Sequence, residues 1–125
     1  MLHARTAAIV TIALLIAVIR ASAADISGTW KASFDTQIGQ QDYTYTFVVK
    51  DTTLTGKIQS EMGGTTDIHD GKLDGDKISF VEIFTFQGME IRITYSGTVS
   101  SADEIKFTRQ VGEFATEQLV AKRTK

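Results

Sequence analysis

The chain has 125 residues with no cysteine and no proline, and its 13 basic and 15 acidic side chains leave a formal net charge of −2 at pH 7. That size fits one ordinary domain, disulfides are excluded, and the charge lacks the basic excess that a nucleic acid or an anionic membrane would favour. Asparagine is absent as well, which excludes N-glycosylation.

In chain order, the first element reads as a leader. His3 and Arg5 give a short basic start, Ala7 to Ile19 form an apolar run, and Ala21-Ser22-Ala23 is a small-residue cleavage site. This is the pattern of a secretory signal peptide. The run is shorter than the roughly 20 residues of a membrane span, and Arg20 interrupts it. No cysteine follows that would carry a lipid anchor. Cleavage after Ala23 is expected to leave 125 − 23 = 102 residues as one domain, Ala24 to Lys125, with 13 − 2 = 11 basic against 15 acidic side chains and a net charge of −4. The expectation is an exported protein of the periplasm or medium, free of the membrane once cleaved.

Beyond the leader, apolar residues alternate with polar ones and none keeps helical spacing for long. The pattern predicts strands over Thr29–Gln37, Tyr43–Lys50, Leu54–Ser60, Thr66–Leu73, Lys77–Phe86, Glu90–Val99, Glu104–Gln110 and Ala115–Lys122. Asp74-Gly75-Asp76 is a hairpin signal between two alternating runs, and Gln87-Gly88 marks another turn. A weak internal repeat runs through the second half: Gly71-Lys72-Leu73 before Asp76-Lys77-Ile78-Ser79-Phe80 resembles Gly97-Thr98-Val99 before Asp103-Glu104-Ile105-Lys106-Phe107. About eight strands in consecutive hairpins make an up-and-down meander, and closing it removes two exposed edges. The predicted fold is all-β, a small closed barrel whose interior fills with side chains or holds one small ligand.

Two predicted strands carry the clearest functional clue. Ile78, Phe80 and Glu82 share one face of their strand, as do Ile105, Phe107 and Arg109 of another. Each apolar row ends in a charge, which predicts an interior that turns polar toward one mouth. If Leu119 and Ala121 face inward, so does Glu117, beside Arg109. The cluster reads in two ways: as a polar mouth that hydrogen-bonds a ligand, or as an arginine–carboxylate pair that only holds the barrel together. Asp35, Gln37, Tyr43 and Tyr45 are placed at the same end, where aromatic faces, hydroxyls and an amide suit a sugar. Phe84, Phe86 and Met89 flank an unusually apolar tip that covers the barrel end or meets a partner. The predicted ligand-binding set is Asp35, Gln37, Tyr43, Tyr45, Glu82, Arg109 and Glu117.

Other chemistries are weakly signalled. A glycosidase needs two carboxylates about 5–9.5 Å apart, and Glu82 with Glu117, or with Asp35, can supply them. His69 is the one histidine beyond the leader, on a strand that reads as an edge, and no Gly-x-Ser-x-Gly elbow accompanies it. Asp67, His69 and Asp70 make a poor metal set, Asp74 and Asp76 do not match a calcium loop, and no phosphate-cradling glycine loop is present. No metal and no cofactor is implied.

Gly28-Thr29-Trp30 on the first strand, with Lys122-Arg123 at the end of the last, resembles the lipocalin and calycin group. That resemblance implies a tryptophan packed against a terminal basic residue. Trp30 to Gly39, Ile78 to Glu82, Phe86-Gln87-Gly88 with Glu90-Ile91-Arg92-Ile93, Ile105 to Arg109, and Phe114-Ala115-Thr116-Glu117 resemble more closely a little-characterised lipocalin-like module of exported bacterial proteins. In that family the module stands alone or follows a secreted glycoside hydrolase or esterase domain. The resemblance implies an extracytoplasmic, carbohydrate-associated setting, with a secreted enzyme as a partner. Together the expectations are an exported barrel that binds a carbohydrate or similar polar ligand, or serves a secreted carbohydrate-active enzyme. The alternative is a very small glycoside hydrolase using Glu82 and Glu117.

Overall fold

A computed structural model describes residues 25–124, so the predicted signal peptide lies outside the described residues. Nine antiparallel strands, and no helix among these residues, form one sheet that closes on itself: β1 (Gly28–Thr36), β2 (Gly39–Lys50), β3 (Thr53–Ser60), β4 (Gly64–Asp67), β5 (His69–Asp74), β6 (Lys77–Phe86), β7 (Met89–Ser101), β8 (Glu104–Val111) and β9 (Ala115–Arg123). Consecutive strands pair except β4 with β5, β4 pairing with β3 alone, and closure comes where β9 meets β1 and β3 bridges β2 to β5. The result is a closed eight-stranded barrel with one additional short strand.

That additional strand corrects the sequence reading. The single strand predicted over Thr66–Leu73 is two pieces, divided at Ile68. Asp70 adopts a left-handed φ of 51°, and the register against β6 shifts between His69 and Lys72. Such a bulge bends the strand, and Gly71 permits it, because a Cβ there would lie 2.1 Å from the Leu54 carbonyl oxygen. A second correction follows. β5 pairs with both β3 and β6, so His69 is not on an edge strand.

Alternation puts one face of every strand inside. Trp30, Tyr45, Phe47, Phe80, Tyr95 and Phe107 are fully buried and fill the barrel from its middle downward. Phe80 stacks on Tyr95 with ring centroids 4.3 Å apart. The lower end is sealed by the chain itself. Ile26 plugs the interior, the Trp30 indole donates to its carbonyl at 2.9 Å, and Arg123 lies 4.6 Å over the Trp30 ring. Arg123 also donates to the carbonyls of Asp25, Ser27 and Ala102.

The upper end is different, because the ladders lapse before the strands do. β5 stops pairing with β6 at Val81, while the β6–β7 hairpin runs on to Phe86 and Met89. The β1–β2 hairpin likewise continues to Thr36 and Gly39 although β3 leaves β2 at Tyr43. Ladder pairing of β1 with β9 covers only Trp30 with Arg123 and Lys31 with Lys122. Four hairpins therefore stand partly free around the mouth.

Candidate functional site

The site grows from the polar ends of the inward rows. Tyr95 pairs across the sheet with Arg109 on one side, and Arg109 pairs with Glu117 on the other. All three face inward, and the register brings Glu82 of β6 to the same level. Glu82 is 1% exposed, Arg109 4% and Glu117 9%.

Arg109 is the hub. Its Nε donates to the Tyr95 hydroxyl at 2.8 Å, Nη1 to Glu117 Oε1 at 2.5 Å, and Nη2 to the Tyr43 hydroxyl at 2.7 Å. Nη2 also lies 3.6 Å from Glu82 Oε1, close enough for charge attraction but too far for a hydrogen bond. The guanidinium carbon sits 4.9–5.6 Å from the ring centroids of Tyr43, Phe34 and Tyr95, so aromatic faces replace much of the lost hydration. Tyr95 completes the circuit. Its hydroxyl donates to Glu82 Oε1 at 2.9 Å and accepts from Arg109. One hydroxyl has a single proton, so Tyr45 is the donor in the 2.9 Å contact between the two tyrosine hydroxyls.

Electrostatics follow from this packing. Burial pushes the Glu82 carboxyl above the usual glutamate range, with Arg109 and the Tyr95 hydroxyl opposing the shift. Burial likewise raises the hydroxyls of Tyr45 and Tyr95 well above the ordinary tyrosine value, so both are neutral hydrogen-bonding groups. Burial works against the Arg109 charge, but Tyr95, Tyr43 and Glu82 outweigh it, and the group stays a guanidinium.

Above this floor lies a cavity of about 420 Å³. Tyr43, Arg109 and Glu117 form its base, with Gln37 and Gln41 at one side. The rim is apolar: Ile38, Met62, Phe86, Met89 and Phe114 line it, one or two from each free hairpin. Ile38, Met89 and Phe114 are each about three-fifths exposed (62%, 59% and 61%). Gln37 Nε2 donates to the Phe114 carbonyl at 3.3 Å and ties two of the hairpin tips together. A second, shallower groove runs along the seam where β1 and β9 part, and Glu117 borders it too.

The structure brings Tyr43, Glu82, Arg109 and Glu117 together and places Gln37 on the rim. It separates two predicted residues from them. Asp35 points to the outer wall, because Phe34 and not its neighbour takes the inward position in β1. Tyr45 is fully buried one layer below the floor and reaches no surface. Glu82 is also walled off and does not line the cavity, which leaves Glu117 as the one carboxylate among the lining residues. Sequence reasoning missed Tyr95 as the link between Glu82 and Arg109, and it missed Ile38, Met62 and Phe114 as rim residues. Among the described residues no group of three His, Cys, Asp or Glu side chains could hold a metal ion.

No protein-family description and no curated protein matches this chain. Among solved structures it is similar to a redesigned β-barrel, with a TM-score of 0.54 and 17% identity over 80% of this chain and 92% of that one. The likeness shows the fold alone.

Proposed function

We propose that this chain is a non-catalytic binding barrel that holds one small amphiphilic ligand at its upper mouth. One observation carries the reading. Of the seven large apolar side chains exposed on the described surface, five (Ile38, Met62, Phe86, Met89 and Phe114) converge from four hairpins on a cavity with a polar floor. Scattered exposed apolar residues need no explanation, but a converging ring of them marks a binding surface. A mostly apolar pocket with a few polar groups at one end is the usual form of a small-molecule site.

The lining narrows the ligand. A free sugar would satisfy Arg109, Glu117 and Tyr43 but leave the rim bare, whereas a glycoside with an apolar aglycone, or another amphiphile, covers both. An exported setting and service to a secreted carbohydrate-active enzyme belong to the same proposal, supported by the signal-peptide pattern and the family resemblance. The hydrolase alternative gains no support from the geometry. Hydrolysis needs two carboxylates flanking the scissile bond, and here Glu82 is sealed below the floor while Asp35 lies outside.

Titration of the purified protein with a solvatochromic apolar dye tests the proposal. One dye per barrel is expected, displaced by octyl glucoside more readily than by glucose, and lost in a Phe86→Ser, Phe114→Ser double variant. Dye binding unchanged in that variant would contradict it, as would turnover of a chromogenic glycoside abolished by Glu117→Gln.

A further inference from the structure

The mouth has a charge as well as an apolar lining. The four hairpin tips, residues 35–42, 59–66, 84–91 and 110–117, contain six carboxylates and no lysine or arginine. The two arginines that border these tips are already engaged: Arg92 lies 3.3 Å from Asp70, and Arg109 lies between Glu82 and Glu117. The opposite end is mixed, with Lys50-Asp51, Asp76-Lys77, and Asp103-Glu104 beside Lys122-Arg123. Only the upper end presents a field of one sign.

A second observation lies at the floor. Glu117 is 9% exposed, lines the cavity, and gives Oε1 to Arg109, while among the described residues no donor reaches its Oε2. Among the described residues the one buried side-chain atom without a partner is Thr66 Oγ1, so Glu117 Oε2 stays reachable by solvent and is free to accept from a ligand. An ammonium group supplies donor and opposite charge together. The Phe84 and Phe86 rings, stacked with centroids 6.2 Å apart, add aromatic faces along the way in, and such faces attract cations.

We infer that the mouth selects amphiphiles with a protonated amine as head group. The ammonium bonds Glu117 Oε2, and the apolar body lies among Phe84, Phe86, Met89 and Phe114. The inference rests on the mouth being a ligand site at all. An anionic head would compete with Glu82 and Glu117 for Arg109 and enter through tips whose charges are all negative. A neutral head would gain the hydrogen bond without the attraction.

Calorimetric titration at pH 7 with three ligands of one tail, each below its micellar concentration, tests it: dodecylamine, dodecanoate and dodecyl maltoside. Dodecylammonium is expected to bind roughly tenfold more tightly than either of the others, the scale of one charge-assisted hydrogen bond. The preference is expected to shrink with added salt and in a Glu61→Gln, Glu90→Gln, Glu113→Gln variant, whose changes are all on the surface. Glu117→Gln should abolish it, and the surface variant keeps the test valid if that protein fails to fold. Equal affinity for the three ligands, or preference for dodecanoate, would overturn the cationic head and leave the amphiphile site standing. No binding of any of them would overturn both.

Discussion

The two ends of this barrel are built from the same alternating strands and finish in opposite ways. At the lower end a plug exists: Ile26 enters the interior, Trp30 donates to its carbonyl, and Arg123 fastens the entering chain through the carbonyls of Asp25 and Ser27 and ties it to the β7–β8 turn through that of Ala102. At the upper end no described segment crosses the opening, the ladders lapse, and the hairpin tips keep apolar side chains in solvent. Strand composition alone does not decide between these outcomes, since the inward rows that turn polar at Glu82, Arg109 and Glu117 are followed by further apolar side chains at the hairpin tips. What decides is whether a piece of chain is left over to close the opening. The unsealed end is thus where the proposed ligand would do what Ile26 does below.

The buried charges mark the boundary between the ends, and breaking them should have the largest effect. Arg109→Ala leaves Glu82 and Glu117 buried without a counter-charge, and a loss of about 3–5 kcal/mol is expected in denaturant unfolding. Replacing Glu82, Arg109 and Glu117 together by leucine or methionine should cost far less, because a buried ion pair rarely outperforms apolar packing of the same volume. A triple variant as unstable as Arg109→Ala would show that the cluster, and not its imbalance, holds the barrel. Trp30→Ala attacks the sealed end on a similar scale, about 3–5 kcal/mol.

Arg123→Ala is the milder way to loosen the seal. It removes one aromatic contact and the bonds to three carbonyls while leaving the core filled, so a loss of about 1–3 kcal/mol is expected. Hydrogen exchange should quicken at Ile26 to Thr29 and stay unchanged at the upper tips. Uniform quickening would mean that the ends are not independent.

Glu82 gives the comparison a pH dependence. Its pKa is raised in the fold, first by burial, so the native state holds this proton more tightly than the unfolded chain does. Its contribution to stability is therefore full below the ordinary glutamate value of about 4.3 and is lost as pH rises through the higher folded value. The stability of the wild type minus that of Glu82→Gln is expected to fall over that interval and to level off above it. A flat difference would contradict the burial of this carboxyl. The smallest effect belongs to the rim: Phe114→Ser should change stability by no more than about 0.5 kcal/mol, while the proposed binding predicts a weaker affinity for the dye.

Much of this molecule was legible in its sequence, and the exceptions have physical reasons. Period-two alternation located all eight barrel strands, and the paired rows ending in Glu82 and Arg109 pointed to the polar floor, because a strand's facing is fixed by its period. The break at Ile68 was hidden, since it depends on the approach of Gly71 to the Leu54 backbone, a contact between strands. Asp35 was misplaced although the parity of its strand was readable, with Trp30, Ala32 and Phe34 on the inward face. Phe34 fixes the inward parity of β1, and its neighbour must then point outward. Tyr95 carried no functional signal in the sequence, because its link to Glu82 and Arg109 exists only across two ladders. The rim was partly readable: alternate turns of a meander share an end, and the turns holding Ile38, Met62, Gln87-Gly88 and Phe114 alternate along the chain with the Asp-rich ones.

The most direct test of the difference between the ends is an NMR titration of the isotope-labelled protein with dodecylamine, followed residue by residue. Shifts are expected at Ile38, Met62, Phe86, Met89, Phe114 and Glu117, saturating at one ligand per barrel, with Ile26, Trp30 and Arg123 unmoved. Shifts centred on the sealed end or the β1–β9 seam, or none at the tips, would contradict the upper mouth as the binding site.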